Sequence, residues 1–493
     1  MKILNGGPAL DLDEIALFPF DDRSLPFQKG VLLNLNSYQA GCGNTKVVLP
    51  VGDEGDPDSE HIAYYGTVTR VGNELWMWYL GQGPEPEEGP EGGTWFQRVC
   101  LATSTDGRTW TKPNLGLCEY RGNTDNNLID LDGGTYHVAA CVVIHDEEDP
   151  DPARRFKMAF EARKYKAQFA VAYSADGLTW TESPNNPVGP WLEMSGGTKI
   201  DGVFYMPGQG GKHIPGRGRQ FATHISYDWE NWSEASVLGL QRTNVHPRDP
   251  FAKDSGEQIH LGAGLWNRGN VVIGFYGMWN GHHSNDRRLT TMNLGMAVTQ
   301  NGLHYYEPIP NFPIVSAAED GWELPPMGHQ TVNFPALIQG QGFENIGDET
   351  LFWYCPWPEQ KSDGVRVATW ERDRLGYFTA TLGKPGSRID ESDPHVVSAP
   401  IDLGDADAAL TLNVGGLSEW SNVTVEVLNE RFEVIPGYDR GACHAPTESG
   451  FAEPVTWTGH DTISADGKIR LRLDYGGVRV EDTKLYAMYL NAQ

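Results

Sequence analysis

The chain has 493 residues and a formal net charge of -28, from 66 acidic residues against 38 Lys and Arg. That acidity repels polyphosphates and anionic lipid surfaces, which excludes nucleic acid and membrane as expected partners but is compatible with a neutral ligand such as a sugar. The length exceeds one compact core, and 58 Gly, 32 Pro and 11% aromatics suit many short strands and turns rather than helices.

Residues 1–14 lack an apolar run and turn acidic early, so neither a secretory signal nor a membrane span is predicted. A cytoplasmic chain, or one that has lost a signal, is expected. Residues 1–50, with Phe18, Phe20 and Phe27, are expected to wrap the region that follows or to close its ring.

From residue 51 one string recurs. Ser104-Thr-Asp-Gly-Arg-Thr-Trp110 returns as Ser174-Ala-Asp-Gly-Leu-Thr-Trp180. Weaker copies are Ser226-Tyr-Asp-Trp-Glu-Asn-Trp232, Thr299-Gln-Asn-Gly-Leu-His-Tyr305 and Thr369-Trp-Glu-Arg-Asp373. The turn positions Asp106, Asp176, Asp228, Asn301 and Asp373 stand 70, 52, 73 and 72 residues apart. A period of that length marks an array of similar supersecondary units. Asp-Gly supplies a tight turn, because Gly tolerates positive φ and Asp bonds the neighbouring backbone. The aromatic that follows can cover the next sheet.

Between the turns lie apolar runs such as Leu75–Tyr79, Phe156–Phe160, Val203–Met206, Val271–Tyr276 and Leu351–Tyr354. About four strands per unit and five units predict an all-β fold, a five-bladed β-propeller over 51–382. Gly383-Lys-Pro-Gly-Ser reads as a linker. Beyond it, Ala408–Val414, Val423–Leu428, Ile469–Asp474 and Lys484–Leu490 alternate with period two, so 383–493 is predicted as an antiparallel β-sandwich. The six cysteines are too widely spaced for a zinc motif or a dense disulfide framework.

Five units with the S-x-D-G-x-x-W turn and a C-terminal β-sandwich resemble the glycoside hydrolases of families 43, 32 and 68 and their uncharacterised relatives. The two-domain layout is most similar to family 32. Arg248-Asp249-Pro250 matches that family's Arg-Asp-Pro string, and the resemblance implies that Asp249 stabilises an oxocarbenium-like transition state. It also implies a carbohydrate substrate of furanoside type, such as a fructoside or arabinoside. No organic cofactor is implied, and a structural calcium ion is compatible.

Glycoside cleavage needs two carboxyl groups flanking the bond. In a propeller, first strands begin and second strands end at one mouth of the channel, so polar residues there converge. Candidate catalytic carboxylates are Asp249, Glu193 and Glu60. Arg248 would keep Asp249 ionised, while apolar Leu192 and Met194 would keep Glu193 protonated as the acid. Candidate substrate contacts are His61, Glu161, Arg248, His246, His260, Trp279, His329 and Trp357, the tryptophans as stacking platforms. Hydrolysis or transglycosylation at a terminal linkage is the first expectation. A phosphorolytic glycosidase and a non-catalytic carbohydrate-binding propeller are the alternatives. Self-association is left open.

Overall fold

The computed structural model describes residues 1–39, 47–84, 97–131, 138–166, 168–210, 219–236, 238–243, 258–281, 290–317, 336–356, 362–381 and 393–493. Among them there is no α-helix; the chain is all-β, with a few single-turn 3-10 segments.

Five antiparallel runs follow one another along the chain. The first joins His61–Val71, Glu74–Gln82 and Arg98–Ser104. The second joins Val138–His145, Phe156–Ala162, Phe169–Ser174 and Thr179–Glu182. In the third, Glu193–Met194 and Thr198–Ile200 both pair with Val203–Gly210, followed by Gln220–Ser226 and Ser233–Ser236. The fourth joins Ile259–Asn267, Val272–Asn280, Thr291–Thr299 and Pro313–Ser316. The fifth joins Leu337–Ile346, Glu349–Pro356 and Gly364–Glu371. Their central strands are apolar on both faces, because each run stacks between two others. Trp78, Phe160, Phe275 and Trp353 are all essentially fully buried.

The first strand of each run touches that of the next, and Leu337–Ile346 returns to His61–Val71. There Gln341 pairs in parallel with Thr67. Gln341 ties three runs together: its Oε1 accepts from Gly197 N (3.1 Å) and Leu265 N (2.9 Å), and its Nε2 donates to Gly197 O (2.8 Å).

The recurring string builds one turn four times over. In the first copy Ser104 Oγ accepts from Gly107 N (2.8 Å), and Asp106 Oδ1 accepts from Arg108 N (2.8 Å) and Thr109 N (2.7 Å). The Trp110 indole donates back to Gly107 O (3.1 Å). The same bonds recur around Asp176, and the side-chain oxygens of Asp228 and Asn301 cap two backbone N–H groups in the same way. Each turn then docks on its neighbour. The Trp78 indole of the first run donates to Gly177 O (2.9 Å), and Trp353 of the fifth donates to Gly107 O (2.8 Å).

Two further sheets enclose a separate core containing Val425, Leu471, Leu410 and Leu490. Lys468–Gly477 is central in one and Lys484–Ala492 in the other. In Lys468–Gly477, Ile469, Leu471 and Leu473 point inward while Arg470 and Arg472 lie on the outer face, the alternation of a half-buried strand.

The N-terminal segment divides its pairing in a way the sequence reading did not foresee. Lys2–Ile3, Glu14–Leu17, Phe27–Lys29 and Val31–Leu35 all join the two C-terminal sheets. Tyr38–Gln39 and Val47–Pro50 instead edge the fourth and fifth runs. Gly376–Ala380 also pairs with Lys484–Ala492, so these sheets begin before the Gly383 linker. Backbone pairing over hundreds of residues leaves no local sequence signal.

A buried ion pair joins the two parts. Arg268 holds both carboxylate oxygens of Asp373 (2.5 and 3.2 Å), which also accept from Asn345 (2.9 Å) and the Tyr489 hydroxyl (2.7 Å). Although burial opposes it, Arg268 and these donors hold the Asp373 carboxyl below its usual range.

Two predictions follow from this packing. Gly177 has φ +75°, and an added Cβ would meet the Trp78 ring at 3.0 Å. Gly177→Ala should therefore lower unfolding free energy by about 2–4 kcal/mol in urea titration, from left-handed strain plus overpacking; a loss under ~1 kcal/mol would refute the docking role. Asp21 is fully buried, and that burial raises its pKa to about 6 from 3.8. It binds its proton more tightly folded than unfolded, so its contribution is fully present below pH 3.8 and is lost as pH rises through about 6. The loss is on the order of 3 kcal/mol. Asp21→Asn should remove that fall from the profile of Tm against pH.

Candidate active site

The registers place first-strand starts and second-strand ends at one end of the ring. His61 faces Gln82, Val138 faces Ala162, Glu193 faces Gln209, Ile259 faces Met278 and Leu337 faces Pro356. The polar side chains at these positions lie at that end.

Several first strands are bulged close to that end. The register shifts between Ala63 and Thr67, Val138 and Ala140, His260 and Ala263, and Gln339 and Phe343. A bulge re-aims the side chains beside it. At the fourth run it forces Leu261, a non-glycine, to φ +54°. Strain of this kind persists where surrounding structure over-determines it, and it clusters at functional sites.

A chain of side chains from three runs results. Glu193 Oε2 accepts from Gln209 Nε2 (2.5 Å), and Gln209 Oε1 accepts from Arg219 (2.7 Å). The Arg219 guanidinium lies over the Trp279 ring at 4.0 Å. His260 stacks near that indole, with centroids 5.9 Å apart and planes 22° apart. The Tyr65 hydroxyl stands 3.4 Å from His260 Nδ1. Burial pushes the Tyr65 hydroxyl well above its usual range; nearby Cys355 and Glu193 add to this, and Arg219 opposes it. Its field thus registers both Glu193 and Arg219.

This cluster is braced from behind. Gln339 Nε2 donates to His260 O (2.9 Å), Gly262 O (3.0 Å) and Ser195 Oγ (3.2 Å). Arg242 is buried and donates to Trp279 O (2.6 Å), Gln258 O (2.9 Å), Asn280 Oδ1 (2.7 Å) and Asn311 Oδ1 (3.0 Å). Reactive geometry of any kind depends on such a supporting layer.

Of the residues expected from sequence, Glu193, His260 and Trp279 meet in this cluster. Glu60 and His61 lie at the first-strand start of the first run, where Glu60 N donates to Gln82 O (2.9 Å). Glu161 is buried at the end of its second strand. Asp249, Arg248, His246, His329 and Trp357 lie outside the described residues.

Two expectations change. Glu193 was expected among apolar neighbours, yet strand alternation buries Leu192 and Met194 and leaves Glu193 facing Gln209 and Arg219. Trp279 was expected as an open platform, but it is 1% exposed and carries Arg219 and His260 against its ring. It supports the site from within. Sequence reasoning missed Arg219, Tyr65 and Gln339. Arg219 ends the string Gly216-Arg-Gly-Arg219, and only its position before the strand Gln220–Ser226 marks it. In the C-terminal sheets, Asp393, His395 and Asp474 form a possible ion-binding group. Arg472 already bonds Asp474 (2.8 Å) and Asp393 (3.0 Å), and Arg440 bonds Asp474 (2.9 Å), so guanidinium charge stands where a cation would.

His61 generates a prediction. Its Nδ1 accepts from Ser362 N (2.8 Å), and burial lowers its pKa to about 4. The fold favours the neutral ring, so its contribution is present above pH 6.5 and is lost as pH falls through about 4. Its NMR ring resonances should stay flat between pH 5.5 and 8. A midpoint near pH 6.5 would contradict the buried acceptor role.

No family model and no curated protein sequence matches the chain. Among solved structures, it is similar to a glycosyl hydrolase from Bacteroides ovatus at 14% identity, TM-score 0.44, covering 70% of this chain and 97% of that one. It is also similar to an exo-beta-1,3-galactanase from Phanerochaete chrysosporium at 11% identity, TM-score 0.38, covering 90% and 100%. A third is a structure from a study of the family 130 mannoside phosphorylases, at 14% identity, TM-score 0.43, covering 72% and 98%. Likeness at these TM-scores assigns neither fold nor function to this chain.

Proposed function

We propose that the chain is a glycosidase built as a five-bladed β-propeller with a β-sandwich, cleaving a terminal glycosidic bond at one mouth of the propeller, where first strands start and second strands end. The cyclic contact of the five first strands supports the propeller reading, and the shared core of the two remaining sheets supports the sandwich. The observation that carries the function is the Glu193–Gln209–Arg219–Trp279–His260–Tyr65 chain, drawn from three runs to one mouth.

In this reading Glu193 acts as a carboxylate. The Gln209 amide holds its Oε2, and a carboxylate so placed suits a nucleophile or general base. The general acid is then a second carboxyl, Asp249 or Glu60. A separation of ~5–5.5 Å between the acting pair would give retention through a covalent intermediate, and ~6.5–9.5 Å would admit water and give inversion. Tyr65 and His260 would hold the sugar hydroxyls. No organic cofactor takes part, and a furanoside such as a fructoside or arabinoside is the proposed substrate. Arg219 keeps a phosphorolytic variant in view, since a guanidinium can pair with a phosphate acceptor.

A panel of aryl furanosides and pyranosides, with and without inorganic phosphate, tests the proposal. The wild type should turn over at least one member. Glu193→Gln should lower kcat by about 10³-fold or more with Tm unchanged, because transition-state charge stabilisation is lost without packing. Near-normal turnover by Glu193→Gln would remove Glu193 from the mechanism. A wild type inert on the whole panel would replace the enzyme reading with a carbohydrate-binding one.

A further inference from the structure

A polar pocket opens near the start of the His61–Val71 strand. It is a cavity of about 270 Å³ between the segment that leads into Glu60 and the turn after the first run. Glu54 and Asp56 line one wall; Tyr120, Arg121, Asn123 and Asp125 line the other.

Both walls are set by their own hydrogen bonds. Asp56 Oδ2 accepts from Asp53 N (2.9 Å), and Ser59 Oγ donates to Asp56 O (2.9 Å). Opposite, Tyr120 and Asn123 exchange backbone bonds of 2.8 and 3.0 Å around Arg121 and Gly122, at φ 51° and 81°. Two consecutive left-handed residues make this a tight primed turn. The Tyr120 hydroxyl (2.9 Å) and Arg121 (2.8 Å) both donate to Pro84 O, which anchors the turn to the end of the Glu74–Gln82 strand. Beneath lies a buried layer, where Asp58 accepts from the Tyr79 hydroxyl (2.6 Å) and pairs with Lys112 (2.6 Å). A cavity held this way loses little conformational freedom on binding.

The lining chemistry selects the ligand. Among the described residues, three metal-ligating atoms come within 4.8 Å of one another only at Asp393, His395 and Asp474. Glu54, Asp56 and Asp125 therefore do not converge on one ion. Three carboxylates against one arginine repel phosphate and other anions. Spread acceptors interleaved with the Arg121 and Asn123 donors instead match a ligand whose groups each donate and accept over several ångströms. Vicinal hydroxyls of a sugar ring have that property.

We propose that this pocket is a distinct saccharide-binding site, taking one sugar unit of a neutral glycan. It extends the carbohydrate reading given above, but its ligand chemistry is argued from its own lining.

The test is binding, measured on the full chain carrying Glu193→Gln, so that no probe is consumed. Neutral manno-, galacto-, xylo- and fructo-oligosaccharides of two to four units serve as calorimetric probes. A double variant, Glu54→Ala with Arg121→Gly, empties the pocket; glycine suits φ 51° at position 121, so the turn is retained. At least one probe should bind saturably and lose tenfold or more of its affinity in the double variant, with Tm unchanged. Equal affinity in the two proteins, or no saturable binding of any probe, overturns the site. Terbium luminescence sensitised by Tyr120 and abolished by the double variant would overturn it in favour of a cation. Turnover is not a readout here, so a wild type inert on aryl glycosides leaves this result standing while removing the glycosidase reading.

Discussion

An indole of one run donating to the turn of the next is the contact on which the ring depends. Trp78 reaches Gly177 O and Trp353 reaches Gly107 O. Each turn is already closed by its own Ser and Asp side chains, so it presents a fixed carbonyl and a bare glycine face to the ring that covers it. A single run of three or four strands cannot bury both faces. Stacking on a preformed turn lets it do so. Tyr205 against Gly302 is a third instance, made by packing alone.

Around that ring the N-terminal segment works at both ends of the molecule. Its first strands complete the paired sheets, and Val47–Pro50 closes the fifth run. Arg268, Asp373 and Tyr489 then lock the two parts with a hydrogen-bonded buried charge. Such a pair contributes little net stability compared with an apolar contact, but removing one partner strands the other. Its geometry requires both parts to sit correctly at once. The fifth copy of the repeated turn supplies Asp373, at φ 58°, so the same local string serves as a turn in four runs and as an anchor in the fifth.

The Glu193–Tyr65 cluster draws on this rigidity. Bulges re-aim the first strands, and Gln339 and Arg242 hold the backbone behind His260 and Trp279. A carboxylate and a guanidinium from the third run, an imidazole from the fourth and a phenol from the first are thereby gathered in one cluster. Trp279 has a structural part in this: buried between Arg219 and His260, it fixes the cation that faces Gln209 and, through it, Glu193.

Local chemistry was legible in the sequence. The Ser-x-Asp-Gly turn, the period-two alternation of Lys468–Gly477 and the apolar central strands follow from contacts within a few residues, so the all-β class and the repeated unit could be read directly. Glu193, His260 and Trp279 were named as candidates because strand starts and ends can be located from that same alternation. Their surroundings were not legible. Which neighbours face Glu193, what covers Trp279, and that Arg219 and Tyr65 join them depend on bulges and on the approach of separate runs, Tyr65 meeting His260 from 195 residues away. The destination of residues 1–39 was hidden for the same reason. A strand's hydrogen-bonding edge is the same whichever partner it meets, and only the assembled tertiary structure selects that partner.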